Sequence, residues 1–326
     1  MIKKALITGI NGQDGSYLAE LLLSKGYEVT GTLKRNSVAE NQTFRLDTVF
    51  NKIQLEYADL TDMASLVRVI TKVMPDEVYN LAAQSHVGIS FDQPVYTAQA
   101  TGVGTLNLLE AIRLIKPDTK IYQASSSEMF GNNIDSDGYQ RETTSMNPVS
   151  PYGCAKVYAY NISRNYRHSY NMFISNGILF NHESPRRGTN FVTNKVCKEA
   201  VRIKLGLSDK LKLGNLDATR DWGHAKDYVE AMWSMLQMDE PDDYVCSTGI
   251  SHSVKDLCNY VFSYLDLDWK DYVITDTRYL RPEELHNLKG DPTKLIQKIG
   301  WNHTYTFETM LDEMIEYWLT TYNKGL

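Results

Sequence analysis

Gly9-Ile10-Asn11-Gly12-Gln13-Asp14-Gly15 lies between a short apolar run, residues 2–8, and residues 17–25, where Leu18, Leu21 and Leu22 recur at helical spacing. The run predicts a buried strand and the recurrence a helix, so the three glycines stand at a strand-to-helix turn. There they permit a tight turn, close approach of a pyrophosphate to the backbone, and close packing of helix on strand. A glycine triplet alone is a weak signal. In this context it predicts the first unit of a dinucleotide-binding domain, with a plain Gly-rich turn as the competing reading.

The pattern repeats outward from that loop. Residues 27–33, 53–57, 77–81 and 120–124 read as further strands, with helices over 62–73 and over 97–115, the latter closed by Lys116-Pro117. Such alternation predicts an α/β fold: a doubly wound parallel (Rossmann) sheet, with ligands at the carboxyl ends of its strands. Asp59 and Leu60 follow the third strand, and Leu81, Ala82, Ala83 and Ser85 follow the fourth, where small side chains let a dinucleotide lie against the backbone. His86 reads as a supporting residue rather than a catalyst. The second strand ends in Lys34-Arg35-Asn36-Ser37, where a site for NAD usually carries Asp or Glu. Two cations and two small hydrogen-bonding side chains suit a 2′-phosphate, so NADP is the expected dinucleotide. Solvated loop charge is the alternative for Lys34 and Arg35.

At 326 residues the chain has room for two units. Residues 1–174 are expected to form mainly the NADP-binding domain and 175–326 mainly a smaller substrate domain, with crossings back to the sheet. Charged residues at 23% and hydrophobic ones at 42% describe an ordinary globular protein. A net charge of −6 argues against a nucleic-acid partner, though a local basic patch can still take a small anion. Cys154, Cys197, Cys246 and Cys258 show no paired or zinc-type spacing, so no metal and free thiols in a reducing compartment are expected. The N-terminus carries no signal-like apolar segment and no apolar run approaches the ~20 residues that cross a bilayer, which places the protein in the cytoplasm.

Chemistry is suggested further along. Ser125-Ser126-Ser127-Glu128 puts hydroxyls and a carboxylate at the end of a central strand. Ser150-Pro151-Tyr152-Gly153-Cys154-Ala155-Lys156 then sets a Tyr four residues ahead of a Lys, on one helix face. A phenol keeps its proton to about pH 10, so Tyr152 is a poor base unless a cation such as Lys156 stabilises the phenolate. Taken alone, each stretch also reads as ordinary structure. Beyond residue 175, Asn181-His182-Glu183-Ser184-Pro185-Arg186-Arg187-Gly188 and the cations Lys195, Arg220 and Arg281 collect in loops of an acidic chain, which fits a diphosphate ligand.

Together, the glycine loop, Ser126, Glu128, Tyr152 and Lys156 resemble the extended short-chain dehydrogenase/reductase family. Within it, Thr8-Gly9-Ile10 with Gly12-Gln13-Asp14-Gly15-Ser16-Tyr17-Leu18-Ala19-Glu20, the 181–188 loop, and Arg220-Asp221-Trp222-Gly223-His224-Ala225-Lys226-Asp227-Tyr228 are similar to the GDP-mannose 4,6-dehydratases. The resemblance implies that Tyr152 takes the proton of the sugar 4-hydroxyl, with Lys156 lowering its pKa and holding the nicotinamide ribose, so that both also border the cofactor, and that Ser126 hydrogen-bonds the 4-oxygen. Glu128 removes the C5 proton and assists loss of the 6-hydroxyl, and NADP holds the C4 hydride until it returns to C6. It also implies a cofactor site including Gly9, Asn11, Gly12, Gln13, Asp14, Gly15, Arg35, Asn36, Ser37, Leu179, His182 and Arg187. A GDP-sugar site would include Ser85, Asn181, Val192, Lys195, Leu213, Gly214, Arg220, Arg281 and Glu284. A homodimer or homotetramer is implied in the same way. The chain departs from the family text at Ser126, usually Thr, at Lys34-Arg35-Asn36, at Gly138-Tyr139-Gln140, and in a short segment from Tyr272 to Arg278. The last two leave GDP-heptose or GDP-N-acetylglucosamine open as substrates. A sugar-nucleotide epimerase or reductase would need no carboxylate at Glu128, and an NADP-binding regulator would have no use for Tyr152, Lys156 and Glu128 together.

Overall fold

The computed structural model describes residues 2–36, 43–279 and 282–324, so the candidates Ser37 and Arg281 lie outside the described residues. In chain order the strands are β1 (Lys4–Thr8), β2 (Glu28–Leu33), β3 (Gln54–Tyr57), β4 (Glu77–Asn80), β5 (Lys120–Ser126), β6 (Ile174–Leu179), β7 (Asn181–Glu183), β8 (Leu211–Leu213), β9 (Thr219–His224), β10 (Asp243–Cys246), β11 (Ser251–Ser253) and β12 (Val273–Thr275). The main sheet runs β10-β6-β5-β4-β1-β2-β3, and every adjacent pair in it is parallel. β1 lies between β2 and β4, so the strand order reverses beside it and opens a crevice at the carboxyl ends of β1 and β4.

Both faces of this sheet are covered, and consecutive strand residues feed opposite cores. Ile7, Tyr79 and Tyr122 meet Leu18 and Leu22 of the helix Gln13–Ser24 and Met232 and Met235 of the helix Ala225–Leu236. Their neighbours Leu6, Val78 and Ile121 meet the helices Met63–Val73, Gly104–Ile115 and Pro151–Tyr170 on the other side. A separate core joins Trp222, Val196, Leu257, Met310 and Ile315. It lies under the helices Val192–Lys204, Val254–Tyr264 and Phe307–Asn323, with the small sheets β11-β9-β7 and β12-β8.

Three elements differ from their sequence-based bounds. The first helix begins at Gln13, four residues before the apolar spacing starts, because Gln13 and Ser16 are buried by contacts with loops rather than by an apolar core. β5 runs on to Ser126, its serines concealing two further buried strand residues. The helix expected over 97–115 opens into a wide, π-type turn at Ala98–Val103, where Gly102 lets Tyr158 of the neighbouring helix approach. Residues beyond 174 supply β10, most of β6 and the helix Ala225–Leu236 to the first sheet. The edge strand β10 is covered by side chains: Val245 N donates to Glu142 at 2.7 Å, and Lys294 donates to the Asp243 carbonyl at 2.8 Å.

Candidate active site

The glycine loop leaves β1 through Gly9, whose φ of 69° belongs to the left-handed region; a Cβ there would sit 3.0 Å from Ala82 Cα. A Cβ on Gly15 would lie 2.5 Å from the Gly9 carbonyl oxygen. Gly12 caps the 12-residue helix with no side chain, so the first-turn N–H groups are left for an outside acceptor. This cradle, with the positive end of the helix behind it, fits the pyrophosphate of a dinucleotide.

Gln13 and Asp14 serve a second purpose, tying the loop after β7 to that helix. Gln13 donates to the His182 carbonyl at 3.0 Å and accepts from Ser184 at 2.8 Å. His182 Nε2 pairs with Asp14 at 2.8 Å, and its ring stacks on Tyr228. Burial opposes both charges, but the pairing prevails: the Asp14 carboxyl is held below its ordinary value and His182 above its own. Arg186 extends the tie, donating to Ser16 at 3.0 Å and Glu20 at 2.6 Å.

The end of β2 separates its two cations. Lys34 contacts Asp59 at 3.0 Å and Tyr96 at 2.8 Å, which hold its ammonium up from its ordinary value. Arg35 and Asn36 are exposed beyond it. Leu60 is buried, its carbonyl accepting from Asn107 at 2.8 Å. The backbone N–H groups of Leu81 and Ala82 are both held by the Thr8 hydroxyl at 3.1 Å, which places this turn beside Gly9.

Past the end of β5, Ser126 caps a short turn, Ser127–Phe130, by accepting from Glu128 N. Glu128 is a buried side chain within that turn. Ser150 caps the helix Pro151–Tyr170 through Gly153 N at 3.0 Å, with Pro151 in the first turn, so Tyr152 and Lys156 fall on its buried face. The Tyr152 phenol meets Ser126; burial nonetheless pushes it up to about 12. Lys156 points its ammonium at the Ala124 carbonyl, 2.7 Å away, 5.7 Å from the Tyr152 ring centre, and burial pulls it down to about 8.

These groups line a cleft of about 1090 Å³ shared by Asp14, Leu81, Ala83, Ser85, Ser126, Glu128, Tyr152, Lys156, Leu179, Asn181, His182 and Arg187. Val192, Lys195, Leu213, Gly214, Arg220 and Glu284 line the same cleft. Gly9, Asn11, Gly12, Gln13, Gly15, Arg35, Asn36, Asp59, Leu60 and Ala82 do not border this cleft; they lie toward the other end of the cofactor crevice, around the loops after β1, β2, β3 and β4. Arg220 is buried, donating to the Leu285 carbonyl at 3.0 Å. Lys195 lies 3.6 Å over the Tyr279 ring and donates to the Lys212 carbonyl. Arg187 stacks 3.7 Å over Phe191 and pairs with Glu183 at 3.1 Å. The rim also carries Lys198, Lys210, Lys212 and Arg278, which were not singled out as ligands. The signal for two of them was available: Lys210-Leu211-Lys212-Leu213 alternates, and β8 buries its leucines while Lys212 faces out. Arg220's neighbours Asp221 and His224 turn away from the cleft. Asp221 accepts from Thr248 and Gly249, and His224 caps the next helix through Lys226 N. Among the described residues no cluster of His, Cys, Asp or Glu could hold a metal ion, and no helix is long and apolar enough to cross a membrane.

The protein-family model of GDP-mannose 4,6 dehydratase matches residues 6–314. The chain belongs to that family. GDP-mannose 4,6 dehydratase 2 of Arabidopsis thaliana is 52% identical over 326 aligned residues, covering 96% of this chain and 86% of that protein. The Homo sapiens GDP-mannose 4,6 dehydratase is 49% identical over 338 residues, 95% of this chain and 90% of the relative. Among solved structures, UDP-glucose 4-epimerase of Thermotoga maritima superimposes with a TM-score of 0.86 at 22% identity, over 98% of this chain and 99% of that one. At that identity the likeness speaks for the fold.

Proposed function

We propose that the protein is an NADP-dependent hydro-lyase that converts GDP-D-mannose to GDP-4-keto-6-deoxy-D-mannose. The observation that carries this is the convergence of Ser126, Glu128, Tyr152 and Lys156 in one cleft that Lys195, Lys198, Lys210, Lys212, Arg220 and Arg278 also line. An epimerase needs the hydroxyl, phenol and ammonium; the buried carboxylate in the same turn is the addition that elimination requires.

NADP, when bound, accepts the C4 hydride and gives it back at C6. Tyr152 takes the proton of the 4-hydroxyl, its phenolate oxygen favoured by the Ser126 hydroxyl and by the ammonium of Lys156. Once C4 is a ketone, the C5 proton is acidic enough for a carboxylate, and Glu128 removes it and assists departure of the 6-hydroxyl as water. Ser126 steadies the 4-oxygen through both stages. Arg35, Asn36 and Ser37 are assigned to the 2′-phosphate, and Gly9, Asn11, Gly12, Gln13, Asp14 and Gly15 to the pyrophosphate side. Asn181, Lys195, Arg220, Arg281 and Glu284 are assigned to the GDP part, with Arg187 facing the cofactor. Residues 1–174 then act mainly as the cofactor domain and 175–326 mainly as the substrate domain.

We assign a homodimer or homotetramer. Val95, Val103 and Tyr158 are exposed on two adjacent helical segments, which supports a face covered by another copy. The free cysteines support a cytoplasmic location. The test is purified protein supplied with NADP and, separately, GDP-mannose, other GDP-hexoses, UDP-glucose and dTDP-glucose. A 4-keto-6-deoxy product from GDP-mannose alone or in large excess is expected; no such product from any GDP-sugar would overturn the assignment.

A further inference from the structure

Lys156 does not meet its anchor alone. The Ala124 carbonyl that accepts its ammonium at 2.7 Å also accepts from Gln123 Nε2 at 3.1 Å, one donor for each lone pair. Gln123 Oε1 in turn accepts from Asn80 Nδ2 at 2.8 Å, and Asn80 Oδ1 accepts from the Thr8 hydroxyl at 2.7 Å. Thr8, Asn80 and Gln123 are all buried. The direction of this chain is fixed from its far end. The Thr8 oxygen receives two backbone N–H groups, from Leu81 and Ala82, so its one proton goes to Asn80. Asn80 must then present its oxygen to Thr8 and its amide nitrogen to Gln123, and Gln123 must present its own nitrogen to Ala124. Neither amide can flip without setting acceptor against acceptor.

We propose that Gln123, oriented by Asn80 and Thr8, is a positioning residue for Lys156, acting through the Ala124 carbonyl that the two side chains share. The peptide plane holding the ammonium is thereby tied to β1 and β4, the two strands whose turns form the cofactor crevice. A sheet core buries such a polar chain at a cost, and full satisfaction of every member is what offsets it. The charged and titratable groups around Lys156 are Tyr152 on its own helix, Glu128 in the turn after β5, Asp14 with His182 across the cleft, and Arg187 from the 181–188 loop.

Two arms test this on the NADP-bound enzyme. In the first, Gln123→Leu is expected to lower kcat on GDP-mannose ~10-fold, within the range of a misplaced acid–base group, leaving the KM and the Kd for NADP within about twofold. That loss should vanish in a Lys156→Met background, because the residue acts through Lys156. Wild-type kcat in a folded Gln123→Leu, or a loss that multiplies with Lys156→Met, would overturn the proposal. In the second, lysine 13Cε NMR follows the Lys156 resonance, identified by its absence in Lys156→Met. Gln123→Glu keeps the acceptor for Asn80 but sets a carboxylate beside the shared carbonyl, and should raise the Lys156 midpoint by about one pH unit or more. An unmoved midpoint would overturn the proposal. The kinetic arm rests on the proposed dehydratase activity; the titration arm does not, so a wild-type enzyme inactive on GDP-mannose would count against the function and leave the titration to decide the positioning.

Discussion

Tyr152 and Lys156 carry opposite burdens from the same burial. The phenol is pushed up to about 12 and the ammonium down to about 8, so in the free enzyme Tyr152 holds its proton and Lys156 stands near the edge of losing one. Their role therefore depends on charge brought into the cleft, rather than on Lys156 alone as the helix spacing suggested. Loss of the ammonium removes the cation that favours the phenolate, so kcat/KM should fall as pH rises through about 8. The same shift bears on stability. Between about 8 and the ordinary 10.5 the unfolded chain binds a proton that the folded Lys156 has shed, so this group adds stability as pH rises through that window. Thermal unfolding at pH 8 and pH 10 should show that gain in the wild type and its loss in Lys156→Met; equal slopes would contradict the burial account. Glu128→Gln keeps the shape of the turn and removes the carboxylate proposed as the base, so it should bind cofactor and GDP-sugar normally yet dehydrate ~10²-fold slower or worse. Single-turnover product formation measures this.

At the level of elements, what was legible is what local spacing controls. The glycine loop is a contiguous instruction, and Tyr152 and Lys156 share a face through helical geometry alone. What was not legible depends on partners far along the chain. Nothing near Lys34 announces Asp59 and Tyr96, nothing near Asp14 announces His182, and the polar start of the first helix hides its bounds. The consequence for cofactor choice is specific. Arg35→Ala should weaken NADP binding by ~1–3 kcal/mol, the usual worth of a charge-assisted hydrogen bond, and leave NAD binding unchanged. Lys34→Ala, whose ammonium is engaged elsewhere, should cost less than about 1 kcal/mol. Fluorescence titration with both dinucleotides separates the two, and equal losses would contradict the division of labour. Gly153 joins two elements: a Cβ there would meet Pro148 Cβ at 2.8 Å and the Glu128 carbonyl oxygen at 2.9 Å. Gly153→Ala should part the helix carrying Tyr152 from the turn carrying Glu128 and lower kcat ~10-fold or more with the helical content intact.

The whole molecule is a parallel sheet from which the chain departs and to which it returns. The returns of β10 and the helix Ala225–Leu236 to that sheet follow from burial, which no local pattern records. One tie between the helix Ala225–Leu236, with the residue that caps it, and the last helix is testable by acid. His224, at the end of β9, and Lys226 hold Glu313 of the last helix, and the His224 hydrogen bond leads the causes that bring that carboxyl down to about 2. A depressed carboxyl contributes stability above its ordinary 4.5 and loses it as pH falls through about 2. Glu313→Gln should therefore soften acid unfolding in that window, by no more than about 1 kcal/mol because the group is partly solvated. The central claim is that one site oxidises C4, eliminates across C5 and C6, and reduces C6 without releasing the hydride. GDP-mannose deuterated at C4 tests it most directly, with the product analysed by NMR and mass spectrometry. Deuterium should appear at C6, and a parallel reaction in heavy water should place one solvent deuteron at C5. Deuterium washed out to the medium, or NADPH accumulating with turnover, would contradict the account.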